Sequence, residues 1–415
     1  MSMNNTPSAN RVHIGFFGCR NTGKSSLVNA VTGQDLAVVS EVKGTTTDPV
    51  YKAMELLPLG PVMIIDTPGI DDEGALGTLR VDRTRRVLNK TDVAVLVIDA
   101  EITPNGTLSA VEEELVAIFK AKNIPYIIAL NKSDLQTALP TPHSPLPTPY
   151  SPVSAKTGFN INELKEKIAA LAHPGDPEKR LVADLIQPMD FVVLVIPIDT
   201  AAPKGRLILP QQQVIRDILE AGAVSIVVRD FELKATLESL TALEAQGKKP
   251  ALVITDSQAF AKVSAETPPE IPLTSFSILF ARYKGFFETA VRGVTALETV
   301  QDNDKILICE GCTHHRQCDD IGTIKLPRWI REHTGKEPEF CFCSGGDFPE
   351  DLSPYKMIIH CGACMLNDRE MHYRRCCAED QNIPFTNYGI TIARIRGILD
   401  RSLAPLNGKI TLAKS

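Results

Sequence analysis

Val12 to Ser26 reads VHIGFFGCRNTGKSS: an apolar run, a loop bounded by glycines, and then Leu27 to Val31, apolar at helical spacing. The run predicts a strand, and the loop matches the phosphate-binding pattern G-x-x-x-x-G-K-S in the strand, loop, helix order that such a motif requires. Gly18 and Gly23 let backbone N–H groups turn inward around phosphates. Lys24 is placed to reach the β and γ oxygens, and Ser25 offers its hydroxyl to Mg²⁺. Thr22 and Ser26 complete the nucleotide-binding loop. An α/β fold with a P-loop nucleotide domain at its N-terminus is therefore expected, spanning residues 1–176.

Working outward, Asp66-Thr67-Pro68-Gly69 follows the apolar strand Val62 to Ile65. It puts a carboxylate at a strand end to hold Mg²⁺ through water, and the Gly69 N–H near the γ-phosphate. Asn131-Lys132-Ser133-Asp134 follows the strand Tyr126 to Leu130. The Asp134 carboxylate can accept from both the N1–H and the 2-amino group of guanine, a donor pair that adenine lacks, so the nucleotide is GTP. Ser154-Ala155-Lys156 supplies the remaining base-contacting loop, and Gly44-Thr45-Thr46-Thr47-Asp48 the first switch. Arg80 to Arg86 is a basic stretch whose ordinary reading is a solvated helix face, and the proline-rich run Pro140 to Pro152 is assigned no chemistry.

The net charge of −6 gives no bulk electrostatic footprint for nucleic acid. No apolar run approaches the roughly 18 residues needed to span a bilayer. Neither a nucleic-acid partner nor a membrane is expected, and the short, polar, uncharged start MSMNNTPSAN points to the cytoplasm. Of the 10 cysteines, all but Cys19 fall between Cys309 and Cys377, which confines metal chemistry to one region and argues against a disulfide framework.

After a Pro- and Gly-containing linker, apolar strands alternate with helical stretches over residues 180–270, as in βαβ units of a parallel sheet. That middle α/β domain shows no phosphate loop or ligand cluster and is read as a dimerisation domain. Residues 271–415 form a further α/β domain, with strand-like stretches at Ser277 to Ala281, Lys305 to Cys309, Glu339 to Cys343 and Lys356 to His360. Its cysteines fall near strand ends. Three ligand sets are open: Cys312, Cys361 and Cys364 around a 4Fe–4S cluster with an exchangeable fourth position; Cys309-x-x-Cys312 with Cys361-x-x-Cys364; or Cys312, His314, His360 and one of Cys361 or Cys364 around zinc. Cys309, Cys341, Cys343, Cys376 and Cys377 read as structural.

The N-terminal motifs resemble the translation-factor-like branch of small GTPases, which includes tRNA-modifying, ribosome-assembly and iron-transport members. That resemblance implies Thr46 as the Mg²⁺-contacting switch threonine and Asn21 as a K⁺ ligand in potassium-activated hydrolysis. Ile70 follows the Asp66-Thr67-Pro68-Gly69 turn and cannot orient water, so intrinsic hydrolysis should be slow; Lys24, Thr46, Asp66 and Gly69 carry the catalysis.

With Cys312-Thr313-His314 and, some 45 residues on, His360-Cys361-Gly362-Ala363-Cys364 added, the whole chain resembles the HydF family of FeFe-hydrogenase maturation GTPases. The resemblance implies a homodimeric scaffold with a C-terminal Fe–S cluster domain. Its 4Fe–4S cluster sits on the three cysteines, and His314 or His360 is a candidate fourth ligand. It further implies a diiron subcluster precursor received from radical-SAM maturases and delivered to apo FeFe-hydrogenase. The competing reading is a tRNA-modification or ribosome-assembly GTPase with a structural zinc site.

Overall fold

The run Val12–Phe17 becomes strand β1, and its residues beyond Val12 are all buried because apolar layers cover both faces of the sheet. The computed structural model describes residues 6–34, 49–69, 86–101, 107–135, 150–172, 179–198, 207–242, 250–311 and 320–406. The chain divides into two units, Met1–Pro177 and Glu178–Ser415.

In the first unit β1 is followed by α1 (Lys24–Thr32), β2 (Val50–Leu56), β3 (Gly60–Asp66), β4 (Val93–Asp99), α2 (Ala110–Ala121), β5 (Tyr126–Asn131), β6 (Tyr150–Pro152) and α3 (Ile161–Ala172). The sheet order is β2-β3-β1-β4-β5-β6, parallel except for the edge strand β2. Ile14 and Phe16 pack with Leu27 and Val31 on one face; Phe17 packs with Phe119 on the other. Near-continuous apolar strands are what a sheet covered on both sides needs. The carboxyl ends of β1, β3, β5 and β6 share one edge, where open parallel sheets take their ligands.

The second unit holds β7 (Phe191–Val195), α4 (Leu209–Glu220), β8 (Val224–Val228), α5 (Leu233–Ala242), β9 (Pro250–Thr255), α6 (Phe260–Glu266), β10 (Leu273–Ser275) and α7 (Phe276–Tyr283). These are followed by α8 (Phe287–Gly293), β11 (Lys305–Glu310), α9 (Leu326–Thr334), β12 (Glu339–Ser344), β13 (Met357–His360), α10 (Asp368–Asp380), β14 (Phe385–Asn387), α11 (Tyr388–Ile395) and α12 (Leu399–Leu403). Two parallel four-stranded sheets result, ordered β10-β9-β7-β8 and β12-β11-β13-β14. Taken from its other edge, the second repeats the order of the first.

The repetition is also written in the sequence. Residues 271–286 and 383–398 share Ile-Pro-x-Thr, then Ile, then Ala-Arg, then Gly, at matching positions. Each passage folds as a short strand and a capped helix. Ser275 Oγ accepts from the Ile278 N–H and Asn387 Oδ1 from the Ile390 N–H, each satisfying a first-turn donor. At the far ends Gly285 and Gly397 sit at φ 76° and 69°, the left-handed conformation that closes a helix. α7 and α11 then pack together, where a side chain at Gly389 would collide with Ser277.

Two expectations are corrected here. Ser277 to Ala281 is helical: Phe276, Ile278, Leu279, Phe280 and Ala281 are all buried, so the helix lacks the polar face that marks one in sequence. The first of the two sheets also runs past residue 270, because Leu273–Ser275 pairs with β9. Among the described residues no helix is long and apolar enough to cross a membrane.

Candidate functional site

The described residues expected to bind nucleotide come together at the carboxyl edge of the first sheet. Gly18, at φ 144°, brings the loop so close to β4 that a Cβ there would lie 2.2 Å from the Val97 carbonyl oxygen. Gly23, at φ 83°, leads into α1 and leaves room for the Asn131 amide. These conformations suit glycine, and Asn21 adopts φ 62° between them. The Lys24 ammonium donates to the Gly18 and Cys19 carbonyls, each at 2.9 Å, which folds its charge over the loop. Thr22 Oγ1 donates to the Cys19 carbonyl at 3.0 Å.

Ser25 Oγ donates to Asp66 Oδ2 at 2.7 Å. Asp66 Oδ1 is buried and meets no hydrogen-bond partner among the described residues. Burial raises the Asp66 carboxyl, while the Ser25 hydroxyl and the Lys24 charge pull it down. A hydroxyl beside a carboxylate with an orphaned oxygen is a hard-donor set that fits Mg²⁺. Gly69 closes against the loop: a Cβ there would lie 2.4 Å from Arg20 Cγ and 3.1 Å from its backbone nitrogen.

The loops expected to contact the base are tied to the glycine-rich loop through Asn131. Its Nδ2 donates to the Thr22 carbonyl at 2.9 Å and its Oδ1 accepts from the Ala155 N–H at 3.0 Å. Lys132 pairs with the buried Asp99 at 2.5 Å. Asp134 projects to solvent from the turn Ser133–Leu135, and Ser154 Oγ fixes the next loop by accepting from the Thr157 N–H, beside the exposed Lys156. Ser26 lies in the first turn of α1. The first switch with Thr46, the side chain Ile70 and the stretch from Arg80 to Arg85 lie outside the described residues.

In the second unit β11 and β13 are parallel neighbours, with Cys309 opposite His360, and the Cys361 N–H donates to the Cys309 carbonyl at 2.8 Å. This pairing carries Cys361 to the mouth of the sheet. There its Sγ accepts the Gly311 N–H at 3.1 Å and the Ala363 N–H at 3.4 Å, with Ala363 in the left-handed conformation at φ 58°. Burial pushes the Cys361 thiol up, against those two N–H groups. Cys364 is pushed up to about 12, by burial first and then by neighbouring Cys361, with Lys284 opposing. Two adjacent, half-buried thiols with backbone donors aimed at sulfur fit a thiolate-bound metal group, which would deprotonate them on binding.

Cys312, His314 and Cys318 lie outside the described residues, although Gly311, which touches Cys361, immediately precedes Cys312. Among the described residues no cluster of three or more His, Cys, Asp and Glu has metal-holding geometry. Cys309 is wholly buried and stands opposite Cys343 on β12. Burial first, and then the neighbouring Cys343 thiol, holds Cys309 up, and Cys309 in turn keeps Cys343 low. Cys309 is thus engaged within the sheet.

His360 is also fully buried, and both of its ring nitrogens are engaged: Nδ1 lies 2.9 Å from the Cys361 carbonyl and Nε2 lies 3.0 Å from Arg374 Nη1. Burial and then the Arg374 charge lower the imidazole to about 3, so it is neutral. Arg374 and Glu370, and Lys284 and Asp368, form two ion pairs whose cations act on Cys361 and Cys364, and none of the four carries a motif. The only sequence trace of the first two is an i, i+4 Glu–Arg spacing, which usually marks a solvated helix face.

Comparison with known proteins adds three matched segments. Residues 13–132 match a model described as 50S ribosome-binding GTPase, residues 181–285 the hydrogen maturase F dimerization domain, and residues 288–405 the hydrogen maturase F tetramerization domain. A tRNA modification GTPase MnmE from a Synechococcus species is 35% identical over 177 residues, covering 42% of this chain and 37% of that protein. GTPase Der from Wolinella succinogenes is 34% identical over 173 residues, 38% of this chain and 35% of that one. The chain thus spans little more than a third of the length of these curated relatives. Among solved structures, Aquifex aeolicus Era bound to GDP·AlF4⁻ is 22% identical with a TM-score of 0.34, covering 52% of this chain and 92% of that one.

Proposed function

Because the chain belongs to the hydrogen maturase F family, we propose that it is a GTP-hydrolysing scaffold of FeFe-hydrogenase maturation. On this reading it holds a 4Fe–4S cluster, receives a diiron subcluster precursor from radical-SAM maturases and passes it to the apo-hydrogenase. The observation that carries the reading is the Cys361 sulfur, met by the Gly311 and Ala363 N–H groups at the mouth of a sheet inside the matched tetramerization domain.

The nucleotide half works through its own residues. The loop from Gly18 to Ser26 wraps the phosphates, Lys24 swings from the Gly18 and Cys19 carbonyls to the β and γ oxygens, and Ser25, Thr46 and Asp66 serve Mg²⁺. Asn131 clamps phosphate and base loops together, Asp134 selects guanine, and the Gly69 N–H meets the γ-phosphate. Asn21 would hold K⁺, which would supply the charge that other GTPases draw from an arginine finger.

In the second unit Cys361 and Cys364, together with Cys312, would hold the cluster. When bound, the cluster offers one iron that lacks a cysteine and can accept an exchangeable donor from the cargo. The matched dimerization and tetramerization domains support self-association, with a homodimer as the working form.

Metal analysis and EPR of the anaerobically reconstituted protein test this reading. About four irons per chain, with a reduced-state 4Fe–4S signal that responds to added imidazole or cyanide, are expected. Stoichiometric zinc that iron cannot replace, with no such signal, would overturn it.

A further inference from the structure

Among the described residues the bulkiest wholly buried side chain is a charged one, Arg374 on α10, the helix that begins just beyond Cys364. A buried guanidinium persists only where its donors are matched. Nε and Nη2 donate to Glu370 Oε1 at 2.9 and 2.8 Å, Nη2 also donates to the Gly345 carbonyl, and the guanidinium lies 5.1 Å from the centre of the Phe348 ring. The remaining nitrogen, Nη1, faces His360 Nε2 at 3.0 Å.

That contact determines the state of the imidazole. Arginine only donates, so His360 Nε2 accepts and carries no proton. At the other end of the ring a carbonyl only accepts, so Nδ1 bears the hydrogen and donates to the Cys361 carbonyl at 2.9 Å. The two neighbours independently require the same tautomer. For His360 to ligate iron through Nε2, that nitrogen would have to abandon Arg374 and leave a buried donor unmatched.

We propose that Arg374 is a positioning residue for the cluster: through His360 it holds the Cys361 carbonyl, orients Cys361 Sγ toward the Gly311 and Ala363 N–H groups, and keeps the His360 ring off the iron. This rests on the reading that Cys361 and Cys364 hold the cluster. Partner groups behind first ligands commonly set their orientation and alter affinity about 10- to 100-fold. Here the chain of contacts runs Glu370, Arg374, His360, Cys361.

The test uses full-length protein and three variants. Replacing Arg374→Met together with Glu370→Leu removes both buried charges at once, which proteins often tolerate. His360→Ala cuts the link and leaves the ion pair, and His360→Gln can still accept from Arg374 and donate to the Cys361 carbonyl. In iron-free protein carrying ¹⁵N-histidine, NMR should show one imidazole, identified by its loss in His360→Gln, with hydrogen on Nδ1 alone from pH 6 to 8. The double variant should lose that single-tautomer signature.

In reconstituted protein, the double variant and His360→Ala should surrender iron to a chelator at least about fivefold faster than wild type, with His360→Gln within about twofold. Pulsed EPR should show the same nitrogen couplings in wild type and His360→Gln. Hydrogen on Nε2 in the wild type, unchanged iron release in both link-breaking variants, or an iron-bound nitrogen lost in His360→Gln would each overturn the proposal. Should the wild type take up no iron, the cluster reading falls, and the tautomer measurement still decides whether Arg374 governs His360.

Discussion

Ser25 and Asp66 are joined by a 2.7 Å hydrogen bond from hydroxyl to carboxylate, and the other Asp66 oxygen is buried without a partner among the described residues. A cation reached by both side chains would satisfy that oxygen and remove the burial penalty that raises the carboxyl. Ser25→Ala should therefore weaken GTP binding about 10- to 100-fold in Mg²⁺ and little in EDTA, read by fluorescent-nucleotide titration. Equal loss in both media would assign Ser25 to loop architecture.

The proposed function assigns guanine selection to Asp134, which projects from a turn whose flanks are held by Asn131 and Ser133. Asp134→Asn should cost GTP at least about 100-fold in affinity, because an amide cannot accept from both guanine donors. Xanthosine triphosphate should bind the variant more tightly than it binds wild type. A variant with wild-type GTP affinity would remove Asp134 from the site.

Asn21 holds φ 62° at the crest of the phosphate loop, a conformation asparagine tolerates better than most residues. Exchanging NaCl for KCl should accelerate hydrolysis in the wild type and leave Asn21→Ala unchanged. Identical wild-type rates in the two salts would dismiss the K⁺ ligand.

Lys284, buried except for 1% of its side chain, pairs with Asp368 at 3.0 Å, and Lys179 reaches the same carboxylate. Burial alone would raise the Asp368 carboxyl, but the Lys284 and Lys179 charges outweigh it and hold it below 3.8. A lowered carboxyl stabilises the fold above its unfolded value of 3.8, and that stability is lost as pH falls through the lower folded value. Asp368→Asn should destabilise the second unit at pH 7 by about 1–3 kcal/mol, because Lys284 keeps its charge without an anion. The carboxylate is 42% exposed, and screening there favours the lower end. Urea midpoints for wild type and variant should converge as pH falls toward that folded value; a constant gap would show that packing, not charge, is responsible.

Much of the nucleotide site was legible because its chemistry is local. Gly18, Gly23, Lys24 and Ser25 are contiguous, and Asp66 and Asn131 each close a strand. Reading Ser277 to Ala281 as strand failed because both faces of that segment are buried, so its periodicity vanished. The repeat of residues 271–286 at 383–398 stands openly in the sequence. Its meaning, two sheets of one topology, needed the strand order.

By itself the sequence determined the strand, loop, helix nucleotide fold, the choice of guanine, and the region where thiols gather, because each depends on residue type at short, ordered spacing. Only the tertiary structure decided that Cys309 is buried opposite Cys343, that Asn131 joins two loops, and that His360 lies between Arg374 and the Cys361 carbonyl. Those facts depend on which strands become neighbours and which polar atoms must pair once water is excluded, and neither is recorded in the spacing of residues along the chain.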